Sequence, residues 1–171
     1  MPNAKLLSFL IAAAAKLSGY PEIPVEDLPP VRAVSVDTIA RAICPEEPAS
    51  CTGIAATFET ESYEILIRDS LDLEDSADNS FLLHEFVHVL QWKARGDAIF
   101  KDCPTTLKTE GEAYRAQNAY LKREGEFLRF GEMLAYTQCA EDTSTLFPRD
   151  AMSTPDTGGQ AVTPEMLGPL P

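Results

Sequence analysis

The chain has 171 residues, 44% of them hydrophobic, enough for one globular domain with its own core and too apolar for a disordered segment. Its 27 acidic residues outnumber 14 basic ones and leave a formal net charge of −13. Such a surface repels a phosphate backbone and an anionic lipid face, so neither nucleic acid nor a charged membrane is expected as a partner.

The first segment, "KLLSFLIAAAAKLSG", admits two readings. It has the charge and apolar length of a signal-peptide core. It also places Leu6, Leu7, Leu10, Ile11, Ala14 and Leu17 at helical spacing, with Gly19 at a C′ position and Pro21 beyond it. The helix-stop chemistry favours a structural helix over residues 5–18. The run is too short to span a bilayer, so stable membrane insertion is not expected.

A proline-rich linker, "YPEIPVEDLPP", leads to "VRAVSV", which alternates as a strand does, and then to "VDTIARAI", a short helix with Asp37 as its expected N-cap. Ile54 to Phe58 and Tyr63 to Arg68 read as the two strands of a hairpin turned at "ETES". After an acidic loop, a helix is expected from about Ser80 to Lys93, capped by Asn79 or Ser80 and ending near Gly96. Phe81, Leu82, Leu83, Phe86, Val87, Val89, Leu90 and Trp92 cover almost its whole circumference, the mark of a buried helix. Another helical pattern begins near Leu107, passes Lys122, breaks around Gly125 and extends towards Tyr136. Residues 1–142 are read as a single domain and 143–171, rich in Pro, Gly and Thr, as a tail.

Four cysteines allow two disulfides in three connectivities. Cys44 and Cys51 bracket the loop "CPEEPASC", and Cys103 and Cys139 flank a long helical stretch, so these are the expected pairs. Two disulfides imply an extracytoplasmic protein, periplasmic or secreted.

The two histidines of the chain, His84 and His88, both lie in "SFLLHEFVHVLQW". On a helix they are four residues apart and share a face, with Gln91 continuing it. Two neutral imidazoles so placed can donate lone pairs to one ion. Glu85 leaves the helix at a different angle. It is not placed to be a ligand on that face, but it can reach a metal-bound water and take its proton.

"HEFVH" resembles the HExxH signature of zincin metallopeptidases. The resemblance covers mainly Phe81 to Leu121 and extends to small bacterial extracytoplasmic HExxH proteins of unassigned substrate. It implies an α+β, mainly helical zincin-like fold with a small sheet or hairpin ahead of the motif helix. No third histidine exists, which points to a gluzincin-like site completed by a glutamate on a second helix. "TEGEAYRAQNAYL" supplies Glu110 and Glu112. Gluzincins carry an ExxxD pattern whose Glu binds zinc. Glu110 to Tyr114 gives ExxxY, which makes Glu110 the expected third ligand and Glu112 the alternative. With Tyr at the Asp position, another group must support a ligand histidine.

The resemblance therefore implies a zinc-dependent peptidase, a monomer acting on a peptide or protein substrate. Zn2+ would be held by His84, His88 and Glu110, with Glu85 as general base. Tyr114, Tyr120 and Tyr136 are candidates for a second oxyanion donor, and "SYEILIRD" is a candidate for a substrate-binding edge strand. The alternative is a non-catalytic zinc-binding or peptide-binding protein on the same scaffold.

Overall fold

The computed structural model describes residues 2–139, and the proposed tail at 143–171 lies outside them. The fold is α+β and mainly helical, with one three-stranded sheet. Helix α1 spans Ala4–Ser18. Its N-terminus is capped by Asn3, whose Oδ1 accepts from the Leu6 amide at 2.9 Å, and Gly19 ends it in the left-handed region. Leu10, Ile11 and Ala14 are wholly buried against α3 (Ser76–Arg95) and α4 (Cys103–Glu124), so α1 is a structural helix of the core.

Strand β1 (Val31–Val34) is followed by α2 (Val36–Ile43), then β2 (Ala56–Glu59) and β3 (Glu64–Arg68). The cap of α2 is Ser35, whose Oγ accepts from the Thr38 amide; Asp37 lies in the first turn and pairs with Arg41. The sheet order is β1-β3-β2, with β1 parallel and β2 antiparallel to β3. The alternation of a strand sends Ile65 and Ile67 into the main core and Leu66 into a smaller one with Ile39 and Ile54. "SYEILIRD" is therefore the central strand and not an edge. The edge position beside α3 falls to β2, because the parallel strand β1 occupies the other side of β3.

Helix α3 begins a turn earlier than the sequence reading, because Asp75 outcompetes Asn79 and Ser80 as cap by accepting from the amides of both Ala77 and Asp78. Asn79 to Gln91 are buried without interruption. Helix α4 likewise starts at Cys103, capped by Asp102 with Pro104 in the first turn, and stops at Gly125. It does not resume. The chain turns back along α4, where Asn118 pairs with the backbone of Phe130 through two hydrogen bonds of 2.9 Å, and a short 3-10 turn covers Glu132–Tyr136.

Both expected disulfides are present, Cys44–Cys51 and Cys103–Cys139. The second ties the start of α4 to the end of the returning segment. Among the described residues no helix is long and apolar enough to cross a membrane.

Candidate metal centre

The antiparallel approach of α3 and α4 brings His84, His88 and Glu110 together in the interior, at 0%, 3% and 6% exposure. His84 Nε2 lies 3.0 Å from His88 Nε2 and 3.2 Å from Glu110 Oε2, and His88 Nε2 lies 3.4 Å from Glu110 Oε1. A tetrahedral ion with ligand bonds of about 2.0–2.1 Å separates its ligand atoms by roughly 3.3–3.4 Å. The three side chains thus form a nearly ready face of a coordination tetrahedron. Among the described residues this is the one cluster of three or more His, Cys, Asp or Glu that can hold a metal ion.

The hydrogen bonds behind the imidazoles fix which nitrogens face the centre. The Gln91 amide nitrogen donates to the Thr109 carbonyl at 3.0 Å and to Glu112 Oε2 at 3.1 Å. Both are pure acceptors, so the amide cannot be flipped. Its oxygen consequently faces His88 Nδ1 at 2.8 Å, and that nitrogen must carry the proton. The same logic holds for His84. Ser80 spends its hydroxyl proton on the Ala77 carbonyl at 2.6 Å, so its oxygen accepts from the Gln117 amide nitrogen at 3.0 Å. The Gln117 oxygen then faces His84 Nδ1 at 3.0 Å. In their neutral forms both rings therefore turn bare Nε2 atoms towards Glu110. Two lone pairs and a carboxylate repel one another unless a cation, either a metal ion or a ring proton, lies between them.

Glu110 is anionic. Burial alone would raise its carboxyl, but where ring protons supply that cation the charge and hydrogen bonds of His88 and His84 outweigh burial and hold it well below the usual range. Glu112, two residues on and so about 200° round the helix, points away from the centre. Its Oε2 accepts from Tyr20, Gln91 and Arg95 at 2.8, 3.1 and 3.0 Å. Of the two glutamates, packing brings Glu110 to the histidines.

Glu85 is buried and lines a narrow cleft with His88, Glu110, Phe100 and the β2 residues Ala56, Thr57 and Phe58. Tyr114 is buried beside them. Its ring meets that of His84 edge-on at 4.5 Å between centroids, and its hydroxyl has no hydrogen-bond partner among the described residues. Burial, reinforced by the negative charges of Glu110 and Glu85, pushes this phenol far above its ordinary pKa, so it stays protonated. The backbone at Gly131, at φ +76°, lies against the Tyr114 ring, where any Cβ would collide with it. The other tyrosines are placed elsewhere. Tyr120 gives its proton to Asn79 at 2.7 Å, and Tyr136 is 80% exposed.

The sequence reading placed Gln91 on the histidine face without giving it a role, and Gln117 lies seven residues, two turns, beyond Glu110 on α4. They are the groups that hold the Nδ1 sides of the two rings. Serine four residues before His84 and glutamine three after His88 are the local signals of this arrangement. Phe100 and the β2 wall had no such signal, since the packing of separate elements puts them there.

Fold and site define a mainly helical α+β protein with a buried His-His-Glu group able to hold a metal ion. The chain belongs to the family described as Domain of unknown function (DUF6647), whose model matches residues 6–143. No curated protein and no solved structure matches it.

Proposed function

We propose that this protein is a zinc-dependent metallopeptidase of the zincin type, with His84, His88 and Glu110 as ligands. The observation that carries the reading is the pair of imidazoles locked by Gln117 and Gln91 with their Nε2 atoms aimed at one point shared with Glu110. Three ligands leave one position open, the pattern of catalytic zinc sites. Zinc bound there would acidify a water and polarise a substrate carbonyl.

Glu85, in the cleft wall beside two of the ligands, takes the proton of the attacking water and passes it to the leaving nitrogen. Tyr114 donates its unclaimed hydroxyl proton to the carbonyl oxygen as negative charge builds there. The apolar cleft walls exclude bulk water, which strengthens both interactions. The pairing of all four cysteines supports an oxidising, extracytoplasmic setting.

The test combines metal content with turnover. Purified protein reconstituted with zinc should hold about one ion per chain. Glu85→Gln should keep that zinc and the fold while lowering hydrolysis of a peptide library by about 10²–10⁴. Zinc bound with no hydrolysis by the unaltered protein would favour a non-catalytic binding scaffold, and absence of zinc would remove the reading altogether.

A further inference from the structure

One carboxylate outside the metal cluster accepts three hydrogen bonds on a single oxygen. Glu112 Oε2 receives three donors from two parts of the chain: the Tyr20 hydroxyl just after α1, and, in α3, the Gln91 amide and the Arg95 guanidinium at the helix end. Arg95 also stacks on the Tyr20 ring, 5.6 Å from its centroid. Only one of these bonds leads to the metal centre, and it does so in two steps. The Glu112 oxygen holds the Gln91 amide nitrogen, and the Gln91 oxygen then meets His88 Nδ1 at 2.8 Å.

We infer that Glu112 is a positioning residue for the metal centre, fixing the amide of Gln91 and through it the ring tautomer and direction of His88. The inference rests on His88 being a metal ligand, as proposed above. The physical reason is the two-fold ambiguity of an amide. Gln91 can present its oxygen to His88 only while its nitrogen has acceptors on the far side. The Thr109 carbonyl is one, at 3.0 Å, and the ionised Glu112 is the other and the stronger, since a charged acceptor roughly doubles a hydrogen bond. A flipped amide would set its oxygen against both, and its nitrogen against His88 Nδ1. The ring would then have to move its proton to Nε2, where it blocks the ligand lone pair. Groups that orient a ligand imidazole in this way typically carry a 10–100-fold effect on metal affinity.

The geometry also separates this role from mere packing. All three donors converge on one oxygen, so Glu112→Gln can keep all three bonds through its amide oxygen. Glu112→Leu keeps none. Zinc affinity of the full-length protein, measured by competition with a chromophoric chelator, should fall roughly 10–100-fold for Glu112→Leu. For Glu112→Gln it should stay within about threefold of the starting protein, because the acceptor that holds Gln91 is retained. In a Gln91→Leu background, Glu112→Leu should make no further difference to zinc affinity, because the path runs through Gln91. A purely structural role would instead add its full effect in that background. If Glu112→Leu does not fold, Glu112→Asp replaces it, since drawing the carboxylate back by one methylene loosens the same bond.

The second readout is the ring itself. Long-range ¹⁵N–¹H correlation spectra should show His88 protonated at Nδ1 in the unaltered protein, and a mixed or reversed tautomer in Glu112→Leu. The same spectra report whether the fold is intact. Zinc binding in Glu112→Leu equal to that of the unaltered protein, or full additivity with Gln91→Leu, overturns the inference. Should the unaltered protein bind no zinc, the metal reading falls, and the metal-free spectra still decide the role of Glu112. An identical His88 tautomer with and without the carboxylate would then refute it.

Discussion

The two ends of the candidate metal centre hold equivalent imidazoles by unlike means. Behind His84 the support runs through Gln117 and Ser80, both neutral and fully buried, to the carbonyl of the partly buried Ala77. Behind His88 it runs outward through Gln91 to Glu112, Arg95 and Tyr20, where the Glu112 and Arg95 side chains are 18% and 29% exposed. The difference follows the cost of burying charge. An ion in the dry interior loses its hydration, whereas a hydroxyl spending its proton on a helix carbonyl fixes an amide with no charge at all. Where solvent reaches the end of α3, a carboxylate is tolerated and can tie three elements together. The inner end is thus held by the helix backbone, and the outer end by side chains that other substitutions can reach.

The comparison should vanish at the ligands themselves. His84→Ala and His88→Ala are each expected to abolish zinc binding, since removing either leaves two ligands where a catalytic site needs three. Elemental analysis after dialysis reads this directly. A variant that keeps stoichiometric zinc would show that its end of the site is dispensable.

The next effect belongs to the inner end alone. Tyr114 lies on His84, with its hydroxyl buried and unpartnered among the described residues. Tyr114→Phe should lower peptide hydrolysis by about 10²–10³, the usual loss of one oxyanion donor. It should also raise the urea-unfolding stability of the metal-free protein by about 1 kcal/mol, because an unsatisfied buried hydroxyl is removed. A stability loss would mean that the hydroxyl is satisfied in solution.

The smallest effect sharpens the contrast between the supports. Gln117→Leu should weaken zinc binding roughly 10–100-fold. It should also cost the metal-free protein about 1–3 kcal/mol, since His84 Nδ1–H is left buried without its acceptor. Affinity titration and urea melts measure the two. An unchanged affinity would mean that packing against Tyr114 alone orients His84.

The sequence by itself determined what depends on local periodicity. Four residues return a helix to the same face, so His84 and His88 had to point together and Glu85 had to leave at another angle. The buried character of α3, the hairpin, the first helix with its glycine stop and the local pairing of cysteines follow from the same short-range rules. Only the tertiary structure decided the rest. Helix periodicity leaves both Glu110 and Glu112 open as ligands, and Glu110 is the expected one only through the resemblance of its ExxxY spacing to ExxxD. The packing of α4 on α3 turns one to the histidines and the other to Gln91. Which strand lies at the edge depends on β1 pairing across more than thirty residues with β3, which no local pattern encodes. The cap of α3 went to Asp75 because two amides there outbid one further along. Helix period is a property of one segment. The rotation of one helix against another and the order of strands are set by how distant side chains share a core.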